Sequence, residues 1–187
     1  MHKRSAIFLR QPDWYSNRSG TRSGIPADVA SWIFETCSLT QRLKKTCGVR
    51  FRVAVVHQRW TRPWPDEARL LHLGMHQWAL VREVQLFCHR KPLIVARTVI
   101  PSDTLKGSQR KLASLGTRPL GEVIFTYPGL RRHSLDIANV ACHDWNPGLR
   151  ESLDINRQTW GRRTVYGIGQ RRLLVCEFFL PSVLGLG

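Results

Sequence analysis

An α+β domain built on an antiparallel sheet is the fold this sequence predicts, and three observations carry it. Two apolar runs, Leu80–Cys88 and Leu93–Ile100, flank the polar break His89-Arg90-Lys91-Pro92, which is the pattern of a β-hairpin. A second pair, Arg163–Ile168 and Leu173–Leu180, closes the chain around Gly169-Gln170-Arg171-Arg172. Helical segments come before and among the strands, of which the bare pattern shows about five.

Taken in order, residues 1–25 hold Arg, Ser and Gly without periodicity (RSGTRSG at 18–24) and read as a mobile basic tail, so the domain is expected to span 26–187. Val29, Trp32, Ile33 and Thr36 recur at helical spacing and predict a short helix over 28–36. Ser38-Leu39-Thr40-Gln41 is a capping-box pattern, with Ser38 as N-cap of a second helix from Leu39 to Cys47 that ends near Gly48. FRVAVV at 51–56 is a strand, and residues 58–75, with their WTRPWPDE run, read as loop around one helical turn. After the hairpin, Pro101 ends its second strand, and Gly107–Leu115 looks helical with Gly116 just past its end. Thr117 to Glu122 reads as a fresh helix start, with Thr117 as the cap and Pro119 in the first turn. Residues 131–157 are polar and aperiodic, and predict a long loop with one helical piece.

The chain of 187 residues is long enough for one domain with a sizeable core. Its 29 Lys+Arg against 13 Asp+Glu leave a net charge of +16, which attracts anions of every kind without choosing among nucleic acid, lipid and small polyanions. The five cysteines, an odd number without paired short spacings, speak against a disulfide framework and for a reducing, cytoplasmic setting. The apolar stretch near the start, Ala6–Leu9, is shorter than the roughly 7–15 residues of an export signal. No run approaches the ~20 apolar residues of a membrane span, so no membrane insertion is expected. The chain has no Gly-rich phosphate loop, GxSxG elbow or HExxH motif. Cys142-His143-Asp144 are adjacent residues that cannot easily chelate one metal, so no metal is expected. No helix-turn-helix or RNP pattern accompanies the charge, and no specific nucleic acid is expected.

Two charges break the apolar pattern. Strand side chains alternate, so Leu80, Arg82, Val84, Leu86 and Cys88 share one face, and Arg82 is a cation on it. Such an Arg either snorkels or pairs with a carboxylate, or it binds an anion in a cavity. The last strand, LLVCEFFL, is apolar on both faces, as a strand covered on both sides would be, and holds Glu177 in its middle. Glu177 reads either as a structural ion pair with Arg97 or Arg163 or as the acceptor that, with Arg82, lines a pocket for a small amphiphilic anion. If Ser38 and Thr117 cap helices, the N–H groups of Leu39 and Leu120 lie in first turns without intrahelical partners, where carboxylates are favoured.

Several strings in order then carry a resemblance: SLTQRL (38–43), WALVREVQL (78–86), ARTVIPSDTL (96–105), LGTRPLGEVIF (115–125), WGRR (160–163) and LLVCEFFLPS (173–182). From about residue 28 to its end the chain resembles chorismate–pyruvate lyase, the family that makes 4-hydroxybenzoate for ubiquinone. The resemblance implies a single domain with a six-stranded antiparallel sheet flanked by helices. It also implies a monomer, no cofactor, and an enclosed site that grips its product. The family's ring-carboxylate Arg falls on Arg82 and its 4-hydroxyl-contacting carboxylate on Glu177, while its main-chain binding positions fall on Leu39 and Leu120. The substrate implied is chorismate and the product 4-hydroxybenzoate. A different class of reading is a non-catalytic domain of the same fold that senses a small carboxylate, as in some transcription regulators. Those domains usually follow a DNA-binding domain, for which the 25 residues before the match leave no room.

Overall fold

In a computed structural model that describes residues 4–17, 24–74 and 76–186, the helices are α1 (Ala27–Ile33), α2 (Leu39–Cys47), α3 (Pro65–Leu70), α4 (Leu120–Ile124), α5 (Pro147–Ser152) and α6 (Pro181–Leu184). The strands are β1 (Tyr15–Ser16), β2 (Phe51–Thr61), β3 (Ala79–Cys88), β4 (Lys91–Pro101), β5 (Leu130–Val140), β6 (Thr159–Ile168) and β7 (Arg171–Phe179). All strands join one antiparallel sheet in the order β1-β5-β6-β7-β4-β3-β2. Six long strands carry it, and the two-residue β1 adds a seventh against β5 through Tyr15↔Ile137.

Alternation divides the central strands into two buried faces. On one, Val84, Leu86, Ile94, Ala96 and Phe179 pack under Val29, Trp32 and Ile33 of α1 and Leu39 and Leu43 of α2. Beside them, Leu80, Ile100, Tyr166 and Val175 pack under Leu112, Leu115 and the α4 residues Val123 and Ile124. Each large side chain buried this way contributes roughly 1.5–3 kcal/mol, which is what holds the short helices on the sheet. On the other face, Val81, Val95, Val99, Leu174 and Phe178 meet Ile7, Phe8, Trp64 and Trp145.

Four expectations are corrected. Ile7 and Phe8 are buried and Phe8 bridges to Trp145, so the packed domain begins well before residue 26. Four apolar residues in a row were too few to outweigh the polar composition around them. Arg18 to Ser23, most of the basic string, lie outside the described residues. Secondly, 130–140 is strand β5, not loop: it is half exposed and bulged between Arg132 and Ser134, which erases the alternation. Thirdly, β2 continues to Thr61 beyond a bulge between Val55 and His57 that masked its second half.

The fourth correction concerns the cysteines. Cys47 at the end of α2 and Cys88 at the end of β3 form a disulfide, their Cα atoms 5.5 Å apart, whereas the odd count argued against bonding. Cys37, Cys142 and Cys176 are free. Burial pushes the Cys176 thiol up, the largest influence on it, and the nearby carboxylate of Glu67 acts the same way. Reactivity follows thiolate and access. Alkylation of the native protein at mildly alkaline pH, followed by mass spectrometry, is therefore expected to label Cys37 first and Cys176 only on unfolding.

Candidate active site

The cavity on the helix-covered face is built from one register. Thr98 of β4 pairs with Arg82 on one side and Val175 on the other, and Ala96 pairs with Val84 and Glu177. Arg82 and Glu177 therefore stand on the same face with β4 between them, and the two β4 side chains on that face are small. Neighbouring large residues would fill the gap, whereas Ala96 and Thr98 leave it open. The start of α2 (Ser38, Leu39, Thr40) and the helix α4 (Leu120, Gly121, Ile124) roof it, and Val53, Leu86, Phe125, Tyr166 and Arg162 complete the wall.

The two roof elements can meet only because residue 121 is glycine. A Cβ there would lie 2.7 Å from Thr40 Oγ1 and 3.0 Å from Ser38 Oγ. Ser38 caps α2 as expected, its hydroxyl accepting from Gln41 N at 3.4 Å. Thr117 does not cap α4: Pro119 occupies the cap position and Leu120 is the first helical residue, since the proline ring already presets the turn. Both Leu39 and Leu120 thus open helices, and their N–H groups have no intrahelical partner.

Arg82 is 2% exposed. Its Nη1 donates to Gln58 Oε1 at 3.0 Å and to the Gly116 carbonyl at 2.8 Å, and its Nη2 to the Arg118 carbonyl at 3.3 Å. Those acceptors are all neutral. Among the described residues no carboxylate forms an ion pair with it. Burial without a counter-ion pushes the guanidinium below its ordinary value. A buried cation held only by neutral acceptors at a cavity wall has the chemistry to receive an anion.

Glu177 has a partner, but not one of those expected. Arg162 Nε donates to Glu177 Oε2 at 2.7 Å. In the register Arg162 sits directly opposite Glu177, while Arg97 and Arg163 both sit opposite Cys176 and so point to the other face. Placing the start of β6 at Arg163, four residues late, hid that parity. Arg162 is 1% exposed, and its Nη1 also donates to the carbonyls of Trp32 (3.3 Å), Ile33 (3.1 Å) and Glu35 (2.8 Å) at the end of α1. It is the site residue the sequence reading missed, although the WGRR string contained it. The four residues singled out, Leu39, Arg82, Leu120 and Glu177, all line this one cavity. Among the described residues, no three His, Cys, Asp or Glu side chains come together as a metal site.

Comparison with known proteins bears on what such a cavity serves. Residues 13–185 match the family described as chorismate lyase. The chain belongs to that family. A protein of Methylococcus capsulatus named a probable chorismate pyruvate-lyase is 48% identical over 158 residues, 84% of this chain and 98% of its own. A second so named, from an Azoarcus species, is 37% identical over 161 residues, 83% of this chain and 85% of its own. Solved structures share the fold of this chorismate lyase family member at much lower identity. PhnF from Mycobacterium smegmatis has a TM-score of 0.58 at 11% identity, over 80% of this chain and 66% of its own. The ligand-binding domain of a GntR-family regulator from Bordetella bronchiseptica has 0.54 at 17% identity, over 71% and 85%. These show the fold alone.

Proposed function

We propose that this member of the chorismate lyase family converts chorismate to 4-hydroxybenzoate and pyruvate. The observation that carries the reading is Arg82, a buried cation with no carboxylate partner among the described residues, facing the same cavity as Glu177. Chorismate bears a ring carboxylate, a 4-hydroxyl and an enolpyruvyl ether on the adjacent ring carbon. Breaking the ring C3–O bond and removing the C4 proton completes the aromatic ring. The departing enolpyruvyl oxygen leaves as the enolate of pyruvate, which takes up a proton at its methylene carbon. Aromatisation drives the reaction, so the protein has mainly to position the substrate and meet its charges.

Arg82 takes the ring carboxylate as a planar fork, and Glu177 accepts a hydrogen bond from the 4-hydroxyl and so orients it. The N–H groups of Leu39 and Leu120 hold carboxylate oxygens. The flap of residues 28–47 opens to admit ligand, because a closed cavity needs a lid. The contact of Arg162 with both Glu177 and the end of α1 supports a link between ligand and flap. On this reading the enzyme is a cytoplasmic monomer that needs no cofactor, is held back by its own product, and supplies ubiquinone synthesis.

An assay of chorismate consumption with pyruvate detection tests the proposal. Turnover is expected. Tight 4-hydroxybenzoate binding without turnover would make the domain a sensor of the related fold instead. The role of Glu177 is separable. One of its oxygens is engaged by Arg162, which suits an orienting acceptor better than a proton carrier. Glu177→Gln is therefore expected to weaken substrate affinity and to lower kcat by less than about tenfold. A catalytic base would lose on the order of 10²–10⁴ in kcat at saturating chorismate.

A further inference from the structure

One stretch of the chain is rich in positive charge. From Thr36 to Pro65 the sequence has seven Lys and Arg and no Asp or Glu. The fold brings the first part of this stretch against the β3–β4 turn: His89 N donates to the Arg50 carbonyl at 2.9 Å, and Arg52 Nε donates to the His89 carbonyl at 3.3 Å. The Cys47–Cys88 disulfide ties the end of α2 to the same turn. Lys45, Arg50, Arg52, Arg90 and Lys91 are all exposed. Among the described residues none of the five is in an ion pair.

Two apolar features sit among these cations. Val49 is 102% exposed, the most exposed of the large hydrophobic residues. On the other side of the turn, Arg90 and Lys91 border an open recess whose apolar wall is Leu93, Pro181 and Leu186. An acid, Asp154, shares an adjoining recess with Lys91 and Arg157. None of these residues lines the chorismate cavity.

We propose that this tip is a peripheral docking surface for an anionic lipid bilayer. Cations at headgroup depth meet lipid phosphates, while Val49 and the apolar recess take contact at the acyl boundary. A nucleic-acid surface would use the cations but leave Val49 and the apolar recess without a partner. The association is peripheral: among the described residues no helix is long and apolar enough to cross a membrane.

Co-sedimentation of the full chain with vesicles tests the proposal. Binding is expected to vesicles containing phosphatidylglycerol and not to pure phosphatidylcholine. It should weaken as salt shortens the Debye length from about 10 Å to about 3 Å. Arg50→Glu/Arg90→Glu/Lys91→Glu should cut partitioning by on the order of 10²-fold or more, with chorismate turnover unchanged. Val49→Asp should cut it several-fold, and it keeps the test open if the triple variant fails to fold. Equal binding to neutral vesicles, or full binding by Val49→Asp, would overturn the proposal. So would a DNA duplex that displaces the protein from anionic vesicles.

Discussion

Arg82→Leu is expected to weaken 4-hydroxybenzoate binding by on the order of 10²-fold or more, while the melting temperature stays the same or rises. The two halves of this expectation have one cause. A charge-assisted hydrogen bond is worth about 1.5–3 kcal/mol, and a bidentate pair supplies two, so their loss is large. The guanidinium is, however, buried against three neutral acceptors, with no carboxylate among the described residues to offset its desolvation. Leu removes that cost and fills an apolar strand face. Arg82→Lys keeps the charge without the fork and should recover only part of the affinity. Titration calorimetry beside thermal unfolding reads both. An Arg82→Leu protein that binds product normally would remove Arg82 from the site; one that unfolds would make Arg82 a structural residue.

Arg97→Met should do the reverse: it should cost stability and spare the chemistry. Arg97 lies on the sheet face away from the cavity, bound to Glu67 at 2.7 and 2.9 Å and to Glu83 at 2.7 Å, with its own side chain 1% exposed. Burial alone would lower its proton affinity, but the two carboxylates overcome that and raise it well above the ordinary value. Removing the cation strands two buried acids, at a cost of about 3–5 kcal/mol. That is a large share of a stability of roughly 5–15 kcal/mol. Denaturant unfolding should show the loss, and Glu83→Gln added to Arg97→Met should restore part of it. The fraction still folded should bind 4-hydroxybenzoate as before. If Arg97→Met is as stable as the parent, the buried network contributes nothing.

The hairpin, the last strand and the cap of α2 were legible because each is a local matter. Apolar runs broken by turn residues, and Ser38 three residues before Gln41, carry their signal within one element. Strand parity alone put Arg82 on an apolar face and Glu177 in a buried strand. The strand β5 was illegible for the opposite reason: it lies near the sheet edge, is half solvated, and is bulged, so neither composition nor alternation marks it. Ile7 and Phe8 carried too little local pattern to mark the start of the packed domain.

By itself, then, the sequence determined the sheet class, the roof helix α2 and the two charged residues that an apolar strand would not otherwise tolerate. What it could not determine was which charges meet. That depends on register between strands distant in sequence, where a shift of one residue moves a side chain to the other face. The structure gave Arg162 to Glu177, gave Arg97 to Glu67 and Glu83, gave Arg163 to Asp136 and Asp66, and gave Arg82 no carboxylate among the described residues. The partners of Arg82 are a property of the assembled sheet, since only the packed neighbours decide which groups meet a buried cation.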